Sequence, residues 1–251
     1  MSSDEKDTPN NVAVDNQGFV YVAGDYDRPF NNGTNGSPGN FNGQYDAWLV
    51  KHRTSDGESV WVKTDLRNTA NFDDRVTSMV VANNGRIYIT GVTVTGEFSG
   101  QNTRKDTWLL QYESRNVNGV DQGNRLSALT IPMTSTLEYF FTDVAVDSNN
   151  DVYVSGYRAT IDTTQGIVIK YSGSQDLASP LALQWEGRIG TTGNLAVSYG
   201  VTVDRNGSVY IVGQTRGNLV RPVTGEFDTF LTKFSNNFTP TALGAFEGYQ
   251  A

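Results

Sequence analysis

One phrase of thirteen residues recurs four times, and it constrains the fold more than any other feature of the chain. It reads VAVDNQGFVYVAG at 12–24, MVVANNGRIYITG at 79–91, VAVDSNNDVYVSG at 144–156 and VTVDRNGSVYIVG at 201–213. Its tyrosine falls at 21, 88, 153 and 210, so the spacings are 67, 65 and 57 residues. A second phrase follows each copy: DAWLVKH at 46–52, DTWLLQY at 106–112, QGIVIKY at 165–171 and DTFLTKF at 228–234. Weaker apolar stretches come next, at 60–62, 126–129, 181–185 and 243–246. A long repeat of this kind marks an architecture whose units bury their apolar faces only against neighbouring units.

Each unit reads as four short strands. In the first they fall at 12–15, 19–24, 46–52 and 59–63, with Gly18 and the pair Asp56 and Gly57 marking tight turns. Alternating β-branched and aromatic residues bounded by such turns predict antiparallel hairpins, and a helical period is nowhere sustained. Tandem four-stranded units of this length match the blades of an all-β propeller. The expectation is a closed ring of four antiparallel blades, at about 10–74, 75–140, 141–197 and 198–251, behind a polar lead at 1–9. The alternatives are a section of a larger ring and half of a ring shared by two chains.

The two phrases resemble the SBBP type of bacterial β-propeller repeat. Asp15, Gly18, Tyr21, Gly24, Asp46, Trp48 and Lys51 carry the resemblance in the first unit. In the fourth it rests on Asp204, Gly207, Tyr210, Gly213, Asp228, Phe230 and Lys233. The second unit departs at Ala82 and Gln111, and the third at Gln165, Gly166 and Ile167. The resemblance implies extracellular or cell-surface modules of bacteria and defines no catalytic set.

Composition excludes several functions. The 251 residues carry a net charge of −8, with scattered Lys and Arg, which argues against nucleic-acid partners. The absence of Cys removes disulfides, thiolate metal sites and Cys nucleophiles. No apolar run is long enough to insert in a membrane as a helix. Residues 1–10 lack the apolar centre of a signal peptide, so an exported protein would need a leader outside this chain.

A meander places the tight turns on one face of the propeller and the longer loops and connectors on the other. From the strand-ending glycine to the third strand the distances are 22, 15, 9 and 15 residues, so variable length collects on the second face. Binding residues usually sit on variable loops over a repeated scaffold. The candidate ligand-binding residues there are Tyr26, Phe41, Tyr45, Tyr139, Tyr157 and Arg158. Their expected partner is a polysaccharide, a peptide or another protein subunit. The alternative reading of the rings is packing within their own loops.

Asp46, Asp106 and Asp228 recur at the start of the third strand and are expected to be structural caps. Asp147, Asn149 and Asp151 have the alternating oxygen spacing of a weak calcium site, but no distal Glu follows, and an Asx turn explains them without an ion. No cofactor is expected. His52 is the single histidine, and no nucleophile elbow accompanies it. Acceptor sequons begin at Asn32, Asn35, Asn206 and Asn237. The sequence thus favours a non-catalytic binding or assembly module. A glycoside hydrolase or lyase using loop carboxylates, and a self-assembling surface or filament subunit, are the alternatives.

Overall fold

The computed structural model describes residues 7–28, 44–64, 66–67, 72–95, 104–173, 181–190, 194–219, 226–234 and 247–249. The first sheet comprises β1 (Asp7–Val14), β2 (Phe19–Arg28), β3 (Gln44–Arg53) and β4 (Ser59–Lys63). The second has β5 (Asp73–Val81), β6 (Arg86–Thr95), β7 (Arg104–Val117) and β8 (Val120–Ile131). The third has β9 (Leu137–Val146), β10 (Val152–Thr160), β11 (Thr164–Ser172) and β12 (Ala182–Ile189). The fourth has β13 (Ala196–Val203), β14 (Val209–Thr215), β15 (Asp228–Phe234) and β16 (Glu247–Tyr249). Every sheet is an antiparallel meander in chain order, and among the described residues there is no helix. The four sheets are the blades of a β-propeller.

Three strand boundaries differ from the sequence expectation. β1 begins at Asp7, inside the polar lead, because 7–9 pair with Tyr26, Asp25 and Gly24 across a bulge. β7 and β8 run well past the apolar core of their phrases, closed by a turn with φ of 54° at Asn118 and 86° at Gly119. Cross-strand hydrogen bonds carry this extension, which hydropathy does not register. In the last blade the described fourth strand is β16, and 243–246 lies outside the described residues.

The turn after each first strand needs one residue with positive φ. Gly18, Gly85 and Gly207 supply it at 90°, 78° and 78°, and Asn150 replaces glycine in the third blade at 65°. Asn is the non-glycine residue that tolerates this conformation best. The strand-ending glycines Gly24, Gly91, Gly156 and Gly213 have a different cause. A Cβ on any of them would overlap a carbonyl oxygen of the first strand. At three of the four it would also strike the ring of Trp48, Trp108 or Phe230 on the third strand. A bulge in the first two strands accompanies each glycine, at Pro9/Asn11, Val76/Ser78, Ser155/Gly156 and Ser198/Gly200.

Blade faces meet in three apolar junctions. Tyr21, Leu49 and Trp61 pack on Met79, Ile87, Ile89 and Leu110. Tyr88 and Leu109 pack on Val144, Val152, Val154 and Ile169. Tyr153, Val168 and Trp185 pack on Val201, Val209, Ile211 and Phe230. Each blade therefore has a leading face, turned to its predecessor, and a trailing face, turned to its successor. At the closing junction, between the fourth and first blades, no pair of described strands shares more than an isolated contact.

Gly91→Ala is expected to destabilise the fold by about 3 kcal/mol, because the methyl must displace the Arg75 carbonyl and the Trp108 ring together. Equilibrium urea unfolding measures it.

Candidate functional site

The tight-turn face is built by a repeated carboxylate. Asp15 Oδ1 accepts from the amides of Gln17 at 2.8 Å and Phe19 at 2.9 Å, while Oδ2 accepts from the Tyr21 hydroxyl at 3.1 Å. Asp147 does the same with Asn149, Asp151 and Tyr153 at 2.8, 2.9 and 3.0 Å. Asp204 repeats it with Asn206, Ser208 and Tyr210 at 2.8, 2.9 and 3.1 Å. A lysine from the third strand lies over each of these rings: Lys51 over Tyr21, Lys170 over Tyr153 and Lys233 over Tyr210. In the second blade, where Ala82 stands in place of Asp, Gln111 Nε2 donates to the Tyr88 hydroxyl at 3.3 Å.

This geometry accounts for the calcium-like spacing in the third blade. Both oxygens of Asp147 are engaged by its own turn and by Tyr153. Asp151 accepts from Gly173 N at 3.1 Å and pairs with Lys170 at 2.8 Å. His52 is half-buried at the end of β3, its Nδ1 3.1 Å from the Gly57 carbonyl oxygen. On this same face Asp15, Tyr21, Arg86, Glu113 and Ser114 help to line a cavity of about 260 Å³ between the first two blades.

On the opposite face three of the six candidate binding residues lie in the β9–β10 ladder, Tyr139 and Arg158 on one side of the sheet and Tyr157 on the other. Tyr139 stands across from Arg158 and Phe140 across from Tyr157 in the β9–β10 ladder. The Phe140 and Tyr157 rings stack with centroids 5.3 Å apart and planes 6° from parallel. Tyr139 OH donates to Glu186 Oε2 at 3.1 Å, and Arg188 Nε donates to Glu186 Oε1 at 2.6 Å. Tyr157 OH donates to Glu138 Oε1 at 3.4 Å. The Arg158 guanidinium lies beside Tyr139, and its Nε has no hydrogen-bond partner. Burial, then the neighbouring carboxylates Glu186 and Glu138, raise the hydroxyl pKa values of Tyr139 and Tyr157. Both rings are therefore neutral hydrogen-bonding surfaces at neutral pH.

Tyr26 and Tyr45 sit in the first blade, apart from that cluster in the chain's fold. Tyr26 pairs with Asp46 and Tyr45 with Asp27 in the β2–β3 ladder. The Arg75 guanidinium covers the Tyr45 ring at 4.1 Å, and the Tyr45 amide donates to Asp73 Oδ1 at 3.1 Å. Phe41, and the sequons at 32, 35 and 237, lie outside the described residues. Asn206 is exposed in its turn.

Among the recurring acids, Asp106 Oδ1 accepts from the Met133 amide at 3.0 Å. Asp46 is buried and Asp228 half-buried at the equivalent positions. Two other carboxylates escape the sequence pattern. Asp25 Oδ1 accepts from Val76 N at 2.7 Å and from Asn10 at 3.1 Å. Asp143 accepts from Ser78 Oγ at 2.7 Å and from Val201 N at 2.9 Å. Each reaches the bulged first strand of the next blade. Burial raises the Asp25 pKa, with the two hydrogen bonds opposing. Neither aspartate repeats at its position in the other blades, so only the fold reveals them.

Comparison with known proteins agrees with this architecture. The SBBP family, described as a beta-propeller repeat, matches residues 3–25 and 184–219. No curated protein matches the chain. Among solved structures, the Trypanosoma rangeli sialidase in complex with the inhibitor DANA is similar at a TM-score of 0.53 and 11% identity. That alignment covers 96% of this chain and 37% of the sialidase, and at such identity it concerns the fold alone. A Bacteroides caccae protein of unknown function aligns at a TM-score of 0.41 and 11% identity, over 98% of this chain and 66% of its own. The chain is a four-blade β-propeller. Two of its segments are similar to the SBBP repeat.

Two outcomes are expected. Asp147→Ala destabilises by about 2 kcal/mol, since two amides and the Tyr153 hydroxyl lose their acceptor, whereas chelator leaves the thermal midpoint of the unaltered protein in place. Burial, with Asp147 adding and Lys170 opposing, pushes Tyr153 from 10.0 up to about 12. A raised pKa contributes stability that is complete below the unfolded value and lost as pH rises through the folded one. Alkaline unfolding therefore begins above pH 10.0, with tyrosinate absorbance and loss of β-sheet circular dichroism rising together.

Proposed function

We propose that the protein is a non-catalytic binding module of the bacterial cell surface or extracellular space. Its long-loop face takes a polysaccharide or a peptide. The observation that carries this reading is the half-buried pair Tyr139 and Arg158, side by side in the β9–β10 ladder at that face, with Tyr157 stacked on Phe140 on the other side of the same sheet. A tyrosine ring offers a flat apolar surface with a polar tip, and a guanidinium offers several directed donors. Together they suit a ligand with both apolar faces and oxygen acceptors.

The carboxylates support the non-catalytic half of the reading. A glycosidase needs two carboxyl groups converging across an open cleft, one acting as acid. Asp106, Asp25 and Asp143 instead accept backbone amides and hold blades or turns in place.

Arrays of bacterial glycans and peptides provide the test. The unaltered protein is expected to bind a restricted set, and the pair Tyr157→Ala and Arg158→Ala to lose that set at least ten-fold while the unfolding midpoint changes little. Binding that survives both substitutions, or hydrolysis of an arrayed glycan, overturns the proposal.

A further inference from the structure

The repeat supplies an internal control for every exposed apolar residue, because each position occurs four times. Val12 is 69% exposed, whereas its counterparts Met79, Val144 and Val201 are 6%, 5% and 8% exposed. Val14 is 65% exposed, and its counterparts Val81, Val146 and Val203 are all half-buried. These are leading-face residues of the first blade. Across the sheet Val12 stands beside Val22, Val22 beside Val50 and Val50 beside Val62; Val62 is 44% exposed, Val22 is half-buried and Val50 is buried, so this face is open at its first and fourth strands.

The trailing face of the fourth blade shows the reciprocal pattern. Leu231 is 47% exposed, while Leu49, Leu109 and Val168 are 0% exposed. Val212 is 44% exposed, while Ala23, Thr90 and Ser155 are 0% exposed. Tyr210 is half-buried, and the equivalent Tyr21, Tyr88 and Tyr153 are buried. Val212 and Leu231 stand side by side in the β14–β15 ladder.

We infer that these two faces dock on each other between copies of the chain, the trailing face of one fourth blade receiving the leading face of another first blade. The chain itself supplies the argument. Among the described residues it builds a trailing-to-leading junction three times from equivalent positions, and on one face of each kind Val12, Val14, Val62, Val212 and Leu231 stay exposed. A second copy presents a matching face to each, so the contact repeats an interface already present in the fold. The association is heterologous, and it ends in a ring when the rotation closes or in a filament when it does not. It uses residues separate from the long-loop face, so its failure leaves the binding proposal standing.

Two variants test it, Val12→Asp and Leu231→Asp, each placing a carboxylate on one end of the chain. Sedimentation is expected to show the unaltered protein assembling with concentration. Each variant alone is expected to associate about 100-fold more weakly, since every head-to-tail contact then buries an unpaired charge. Mixing the two variants in equal amounts restores one intact contact, between the normal Leu231 of one and the normal Val12 of the other. The mixture is therefore expected to yield a 1:1 pair and nothing larger. Both substitutions should leave the unfolding midpoint of the monomer unchanged. An unaltered protein that stays monomeric, a monomer destabilised by either aspartate (the sign of faces closed within one chain), or a mixture that fails to pair overturns the inference.

Discussion

The hydrogen bond from a blade tyrosine to the carboxylate that opens its turn is the contact on which the rest depends. The tyrosine belongs to the second strand and the aspartate to the end of the first. Their contact therefore fixes the hairpin turn, the register of two strands and the orientation of a large ring on the trailing face in a single step. A lysine from the third strand over the same ring adds a further strand to the arrangement. The second blade shows what the contact requires. With Ala82 in place of the acid, the tyrosine hydroxyl finds Gln111, which stands where the other blades have lysine. The two departures from the repeat are one compensated change.

The opposite ends of the blades are held by other means. Glycine at the end of the second strand lets the bulged first strand come close, and in three blades the large ring of the third strand lies over it. Near the same level, Asp25 and Asp143 bind amides of a neighbouring blade. A buried carboxylate that accepts a backbone amide satisfies a donor which a bulge has taken out of the ladder. Asp25 and Asp143 therefore serve as latches between blades.

The candidate site was half legible in the sequence. Tyr139 drew attention as an aromatic residue of a connector, and Tyr157 and Arg158 as residues of the shortest loop; pairing across β9 and β10 sets Tyr139 beside Arg158 and Tyr157 beside Phe140. Tyr26 and Tyr45 drew it for the same reason, yet Tyr45 is engaged by Arg75 and Asp73 of the second blade. Loop composition marks both groups alike, because it carries no information about which neighbour a ring meets. Phe140, Glu138 and Glu186, which shape the surroundings of the cluster, carry no repeat signal at all.

The sequence by itself determined the number of units, the four-stranded meander of each and the turn chemistry, because those depend on contacts within about sixty residues and on local backbone preference. It also identified the tyrosine, aspartate and glycine positions that every blade needs. Tertiary structure alone decided which copies of a repeated position are buried. Val12 and Val144 occupy the same place in nearly the same phrase, yet one faces water and the other lies under a neighbouring blade. Burial depends on what stands across a junction, and a repeat that encodes both faces of every blade cannot encode how closely each junction is packed.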